Sequence, residues 1–354
     1  MTLYFTTNRI KNPLTGGEKY VQALLEGASA AGFKVQIWEA VNLPWILKTI
    51  PLMNIIHCLK ILKADKNSIL MIDLDFHFRY FLSVPVARFL KKMKVVGVLF
   101  HYNYSFKKRS LKRTIQYNVE RFVSRQCDFL ITLSTFSLHN FIRVSNKTVP
   151  NVILQPYVKQ SREEDAEVSR RFSEENRFLL VGNIEYRKNV DTVLRALGTL
   201  NCSFRFDIAG QCVSEQYRCY LQNLIRELKL GEKVHFHGRV SSEQLANLYN
   251  GSSLFILVSR MEGFGIVYAE AMKYGLPIVA SNTGAVPEIV ENGKNGILCD
   301  PEDPDAISKA ILKIINNQEL RNTFSENNYR KFKSFIDRSA FVEKATEIFK
   351  SFQV

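Results

Sequence analysis

This sequence of 354 residues lacks several features that would mark a specialised class of protein. Its six cysteines are scattered without a CxxC pair, so we expect reduced thiols in a cytoplasm rather than disulfides or a zinc site. Glycine and proline number only 17 and 10, too few for a fibrous or low-complexity chain. No apolar run reaches the roughly 20 residues that span a bilayer. The N-terminus also lacks the pattern of a signal peptide.

Acidic residues are scarce in the first half of the chain. Residues 1–157 contain 22 lysines and arginines but 8 aspartates and glutamates, whereas residues 158–354 contain 26 of each kind. The whole net charge of +14 therefore lies in the first half, and residues 76–119 include ten basic residues and no acidic one. A field of this sign attracts the phosphates of nucleic acids, anionic membranes or phosphorylated substrates.

Short apolar runs alternate with helical patterns along the whole chain. Such alternation indicates an α/β protein, with parallel sheets covered by helices and ligands beyond the carboxyl ends of the strands. We expect two doubly wound domains, residues 1–157 and 158–330, with a C-terminal helix at 331–354 completing the first. The predicted strands are Thr2–Thr6, Lys34–Trp38, Ser68–Ile72, Val95–Phe100, Phe129–Leu133, Phe178–Val181, Phe204–Ala209, Lys233–Phe236, Leu254–Val258, Pro277–Ala280 and Gly296–Cys299.

The most specific stretch is SRMEGFGIVYAEAMKYGLPIVASNTGAVPEIVENGKNG, residues 259–296. Gly263 and Gly265 allow a tight turn between a strand and a helix. A helix that begins near Gly265 would direct unpaired N–H groups and a positive dipole end at a diphosphate. Because helical side chains lean toward the N-terminus, Glu270 would reach back toward sugar hydroxyls, and Glu262 on the loop would contact a second sugar.

This stretch resembles glycosyltransferase family 4, the retaining, nucleotide-sugar-dependent enzymes with the GT-B fold, in which two Rossmann-like domains face a cleft. The resemblance is strong from Gly182 to Ile307 and looser toward the N-terminus. It implies that Glu270 binds the donor ribose and that Glu262 lies beside the transferred sugar as a catalytic residue. It also implies that loop amides bind the sugar and phosphate groups of the donor; they belong to Phe264, Gly265 and Ile266.

A second motif is VGNIEYRKNVDTVLRAL, residues 181–197. The resemblance places Lys188 where the family's lysine neutralises the leaving diphosphate, so Lys188 is predicted to be catalytic and donor-binding. The family often has an arginine directly after the glycine, but this sequence has Asn183, and we expect Arg187 to supply the missing charge. Asn189 or Asp191 is expected to cap the following helix.

Three further segments fit the family's pattern. Gly16 and Gly17 lie between the first strand and the first helix, where small residues allow a diphosphate or an acceptor to approach. His101 follows the strand KVVGVLF, and the resemblance implies that it faces the donor sugar and contributes to transfer. Arg239 and Val240 fall in the segment that holds the base.

The segment 105–122 reads as a basic helix. Its predicted buried stripe consists of Leu111, Ile115, Val119 and Phe122. Its basic residues lie mostly off that stripe: Lys107, Lys108, Arg109, Lys112 and Arg113. We expect them to hold an otherwise cytoplasmic protein peripherally on the inner face of the cytoplasmic membrane, where a lipid-linked or envelope-glycan acceptor is taken up. A surface for a soluble phosphorylated or saccharide acceptor is the alternative.

Other functions fit the sequence less well. Asp73 and Asp75 form a D-x-D, but they close a strand of the first domain, away from the donor motifs, so no metal or other cofactor is expected. Nucleic-acid binding leaves the paired glutamates unexplained. A sugar-nucleotide epimerase of the same fold is the remaining enzyme alternative. The expected function is therefore transfer of a sugar from a nucleoside-diphosphate sugar, with UDP-sugars favoured and GDP-mannose possible.

Overall fold

A computed structural model describes residues 1–7, 16–39, 50–75, 81–102, 111–159 and 176–353. The chain divides into two compact units, the first formed by Met1–Lys159 with Ile336–Val354 and the second by Gln160–Phe335. Within the described residues, no helix combines the length and the apolar character that crossing a bilayer requires.

The first unit is built on a parallel sheet with the order β2-β1-β3-β4-β5-β6. Its strands are β1 Thr2–Thr7, β2 Lys34–Glu39, β3 Ile69–Asp73, β4 Lys94–Leu99, β5 Phe129–Thr132 and β6 Asn151–Ile153. Its helices are α1 Gly16–Ala30, α2 Ile50–Lys63, α3 Ser83–Lys91, α4 Leu111–Arg125, α5 Thr135–Ser145 and the C-terminal α13 Arg338–Lys350. All residues of β3 are buried, as expected for a parallel strand covered on both faces.

The second unit repeats this plan with the sheet order β12-β11-β10-β7-β8-β9. Its strands are β7 Arg177–Val181, β8 Arg205–Ala209, β9 Val234–Gly238, β10 Leu254–Leu257, β11 Ile278–Ser281 and β12 Gly296–Cys299. Its helices are α6 Val190–Gly198, α7 Glu215–Glu227, α8 Ser242–Gly251, α9 Ile266–Lys273, α10 Val286–Ile289, α11 Pro304–Ile315 and α12 Gln318–Lys333. The two parallel sheets with flanking helices confirm the predicted α/β fold class.

Helix α4 is rotated relative to the predicted orientation, so that Val119 alone of the four predicted stripe residues packs against the core. Leu111 is 77% exposed, and Ile115 and Phe122 are exposed as well, whereas the buried positions include Gln116 and Glu120. The prediction failed because the inward polar groups have partners: the Gln116 amide donates to the Glu120 carboxylate over 3.0 Å. Nearby, the buried hydroxyls of Ser124 and Tyr102 lie 2.7 Å apart.

The C-terminal helix α13 packs on α1 within the first unit. The Tyr20 and Phe341 rings meet edge to face, with centroids 5.0 Å apart. The two helices approach closely at Gly27, where an added Cβ would lie 2.5 Å from the Cβ of Ala345 and 3.0 Å from the backbone nitrogen of Thr346. Glycine at position 27 is therefore a requirement of the helix contact.

We predict that Gly27→Val lowers the free energy of unfolding of the first unit by about 1–3 kcal/mol, because an overpacked backbone contact forces the helices apart. The measurement is urea unfolding followed by tryptophan fluorescence, which reports on the first unit because Trp38 and Trp45 both belong to it. Gly231→Ala is the control, since no atom lies within 4 Å of a Cβ placed there. Equal midpoints for Gly27→Val and the unsubstituted protein would contradict this prediction.

Candidate active site

The sheet order of the second unit brings two sequence motifs together. From β7 the chain continues to β8 on one side, while β10 pairs with β7 on the other side. This reversal is a topological switch point, where the loops after two neighbouring strands diverge and leave a crevice for ligands. The turn Tyr186–Lys188 follows β7, and the loop that carries Glu262 follows β10.

The Glu262 carboxylate is shared by two cations at this switch point. Its Oε1 lies 2.6 Å from Lys188 Nζ, and its Oε2 lies 3.0 Å from an Arg187 guanidinium nitrogen. The Ser259 hydroxyl donates to the same Oε1 over 3.0 Å. Arg187 also contacts a second carboxylate, that of Glu185, at 2.6 Å. The structure thus joins Arg187, Lys188 and Glu262 into one charged cluster.

Glu262 keeps its negative charge although it is buried. Burial alone would raise the pKa of Glu262, but the charges of Lys188 and Arg187 outweigh it and lower that pKa to about 2. For Arg187, burial lowers the pKa, whereas Glu262 and Glu185 raise it, with a net rise. Both guanidinium and carboxylate are therefore ionised at neutral pH.

Glycines at the strand ends bring the backbone close to this cluster. Gly182 follows β7 with φ +139°, and a Cβ on it would lie 3.3 Å from Lys188 Cε. Gly284 has φ +65°, and a Cβ there would lie 2.6 Å from the carbonyl oxygen of Glu262. Larger residues at these positions would displace the lysine side chain or the loop.

Asn189 fixes the turn in a way that the sequence did not predict. It occupies the N-cap position of α6 in a left-handed conformation, with φ 59°, and its side chain makes no capping bond. The amide instead donates to the carbonyl oxygens of Val258 and Pro301, at 2.9 and 2.6 Å. These two bonds tie the turn to the end of β10. The expected capping bond at Asn189 was wrong because its side-chain oxygen accepts from the Thr192 hydroxyl instead, over 2.6 Å.

Helix α9 begins beside the Glu262 loop. Gly265 is its N-cap residue, with φ 90°, and no side chain caps the N–H groups of the first turn. One of these, the Tyr268 N–H, donates to the Gly265 carbonyl oxygen over 3.0 Å. Phe264 is buried next to it. Glu270 is half-buried in the same helix, and the buried Tyr249 hydroxyl donates to its carboxylate over 3.1 Å.

The remaining predicted residues of this unit lie at the carboxyl ends of β7 and β9. Asn183 is exposed after β7. Arg239 is exposed and Val240 half-buried, directly after Gly238, whose carbonyl oxygen accepts a hydrogen bond from the Gly210 N–H at the end of β8. Both segments therefore lie at the same edge of the sheet as the charged cluster.

The first unit brings together the other predicted positions. Gly16 and Gly17 begin α1, and a Cβ on Gly17 would lie 3.5 Å from the ring of Phe100, the neighbour of His101. The His101 N–H donates to Asp75 over 3.2 Å, and its Nδ1 lies 3.5 Å from the other oxygen of the same carboxylate. Asp75 therefore lies beside the predicted catalytic residue His101, because β3 and β4 are neighbouring strands. Its expected separation from the donor motifs of the second unit stays a prediction.

The predicted basic surface is only partly described. Lys107, Lys108 and Arg109 lie outside the described residues, as does the side chain of Lys112. Arg113 is half-buried on α4. Among the described residues, no group of three histidine, cysteine, aspartate or glutamate side chains is arranged to hold a metal ion.

Sequence reasoning missed several residues that position the site. Ser259 is the first residue of the motif that carries Glu262. Its position three residues before Glu262 was the signal that could have identified it. Tyr249 donates to Glu270, which is distant in the sequence, so no local pattern could reveal it. Glu185 binds Arg187 on a turn whose geometry the sequence did not predict.

Comparisons with known proteins agree with this geometry. Residues 161–331 match the family model of the glycosyl transferases group 1. O-antigen chain mannosyltransferase B of Escherichia coli is 29% identical over 204 residues, which cover 54% of this chain and 52% of that protein. The chain spans about half or less of the length of the curated relatives that it matches first.

Solved structures share the fold over nearly the whole chain. Sucrose-phosphate synthase from Thermosynechococcus elongatus has a TM-score of 0.79 at 19% identity and covers 99% of both chains. Anabaena HepE in complex with UDP-glucose has a TM-score of 0.74 at 17% identity, covering 99% of this chain and 100% of that one. The chain thus has the GT-B fold, and its residues 161–331 are similar to the glycosyl transferases group 1.

Proposed function

We propose that this protein is a retaining glycosyltransferase of the family 4 type, which moves a sugar from a nucleoside-diphosphate sugar to a lipid-linked or envelope-glycan acceptor. The observation that carries the proposal is the cluster of Lys188, Arg187 and Glu262 at the switch point, beside the start of α9. Two cations and helical N–H groups that no side chain caps suit a leaving diphosphate.

The reaction is a loss of nucleoside diphosphate from the anomeric carbon. The bond from that carbon to the phosphate oxygen breaks, and the acceptor oxygen bonds to the same face of the sugar. The acceptor proton passes to the leaving phosphate. Negative charge develops on the diphosphate, so fixed cations such as Lys188 and Arg187 stabilise the transition state without rearranging. Glu262, held by both cations, is oriented toward the transferred sugar.

Neighbouring residues bind the other groups of the donor. Glu270 accepts hydrogen bonds from the ribose hydroxyls, since Tyr249 holds its carboxylate on the first turns of α9. The backbone at Arg239 and Val240 binds the base, and Asn183 lies near the diphosphate. His101 remains the predicted catalytic residue of the first unit, with its ring held by Asp75.

The comparisons favour particular donors and acceptors. One structural neighbour was solved with UDP-glucose, which supports a UDP-sugar, and a relative named as a mannosyltransferase supports GDP-mannose as the second choice. The O-antigen in that relative's name supports an envelope acceptor. The neighbour named sucrose-phosphate synthase supports the alternative of a soluble phosphorylated acceptor. A thermal-shift screen with nucleotide sugars identifies the donor, because a ligand that binds the folded state raises Tm.

We predict that Lys188→Ala lowers kcat by roughly 10²–10³-fold, the usual effect of removing one group that stabilises developing charge. The measurement is transfer of labelled sugar from the donor identified by thermal shift. Lys309→Ala, an exposed position on α11, is the matched control and should keep full activity. An active Lys188→Ala enzyme would refute the role of Lys188, and its melting curve establishes whether the variant is folded.

We predict that Glu270→Ala weakens donor binding by roughly 10–100-fold, since hydrogen bonds to a charged carboxylate contribute about 1.5–3 kcal/mol. The Kd of the donor, measured by calorimetry, tests this directly. Tyr249→Phe should weaken binding less, because it removes only the hydroxyl that orients Glu270. An unchanged Kd in Glu270→Ala would rule out the ribose contact.

A further inference from the structure

Three helices of the first unit lie side by side on one face of its sheet. The chain crosses from β2 to β3 through α2, from β3 to β4 through α3, and from β4 to β5 through α4, always in the same direction along the sheet. Right-handed crossovers place such helices on the same face. A shared core confirms this, because it includes Ile61 of α2, Val84 of α3 and Val123 of α4.

The outer sides of these helices carry large apolar side chains. On α3, Phe89 is 71% and Leu90 is 62% exposed. On α4 the exposed stripe consists of Leu111, Ile115 and Phe122, three of the four residues expected to be buried. On α2 the exposed stripe consists of Ile55, Leu59 and Leu62, which recur at helical spacing. Soluble surfaces rarely concentrate apolar residues in this way without a partner.

The charge on the same helices has one sign. Helices α2, α3 and α4 contain eight lysines and arginines and one acidic residue, Glu120. Glu120 is fully buried, so it is not presented on the outer surface of these helices. One of the eight basic residues, Arg88, is paired with Asp128 at 2.9 Å. Lys63 and Lys92, by contrast, are exposed close to the apolar residues of α2 and α3.

We propose that the outer face of α2, α3 and α4 is a docking surface for an anionic lipid bilayer. The apolar side chains enter the interface between headgroups and acyl chains, and the basic side chains bind the lipid phosphates. This surface differs from the basic segment around residue 107, because the exposed side chains described on it are mainly apolar. This proposal rests on the proposed function, since an enzyme with a lipid-linked acceptor would meet that acceptor at a membrane interface.

The charge pattern selects lipid over a protein partner. A second copy of this chain would bring the same positive charge to the contact, and the two faces would repel one another. An anionic bilayer accepts both components at once, since each basic residue near its surface contributes about 1 kcal/mol and each buried apolar group adds to this.

The test is cosedimentation of the full chain with vesicles of phosphatidylcholine, with or without phosphatidylglycerol. We expect binding to the mixed vesicles only, weakened by salt. The double substitution Phe89→Ser and Leu90→Ser should lower binding roughly tenfold or more. The double substitution Lys63→Glu and Lys92→Glu should lower binding to the mixed vesicles at least about fivefold for each lysine replaced. These four side chains are exposed, so the variants should keep the Tm of the parent protein.

Ile37→Ser is the matched control. Ile37 is exposed on β2, but its neighbour Trp38 packs against the core beneath α2, so Ile37 points to the opposite face of the sheet. Its binding should equal that of the parent protein. Absent binding, equal binding to neutral vesicles, or vesicle-independent dimers abolished by Phe89→Ser and Leu90→Ser would each overturn the proposal. The rise in Tm caused by the donor is measured in parallel. If the donor causes no rise, the result contradicts the proposed function. If the rise is present but the protein does not bind vesicles, the result contradicts the docking surface alone.

Discussion

One buried carboxylate, shared between two cations, organises the site of the second unit. Glu262, Lys188 and Arg187 stabilise one another as a set, because removing one partner from a buried ion pair leaves an uncompensated charge that costs about 3–5 kcal/mol. The residues come from turns after β7 and β10, far apart in the sequence. The site therefore exists only when these two strands are neighbours, which makes the sheet order a condition of the chemistry.

The backbone around the cluster is as constrained as its charges. A Cβ on Gly210 would lie 1.9 Å from the carbonyl oxygen of Gly182, so the ends of β7 and β8 pack backbone against backbone. Gly284 meets the Glu262 backbone in the same manner. Such packing fixes the turns before any ligand arrives, and preorganised charges stabilise a transition state without the cost of reorganisation. Glycine at these strand ends thus serves the same purpose as the ion pairs.

The sequence predicted the fold better than the details of the site. Each of the eleven predicted strands corresponds to an observed one, because apolar runs of four to six residues are buried on both faces of a parallel sheet. Among the strands of the described residues, only β6, three residues long, was not predicted. Within the site, the resemblance to glycosyltransferase family 4 pointed to Lys188 and Glu262. Local motifs gave no information on bonds between distant segments, such as that from the Asn189 amide to the carbonyl oxygen of Pro301.

Helix α4 shows why periodicity alone is not sufficient. A helical repeat tells which residues share a side, but the direction of that side depends on what the opposite residues contact. Gln116 and Glu120 pair within the interior, and this leaves Ile115 and Phe122 outside. The two units differ in how their positive charges are paired. In the second unit the cations of the site are already bound to glutamates, so a diphosphate must share them. On α2 to α4 eight basic residues accompany one acidic residue, so these helices carry a net positive charge.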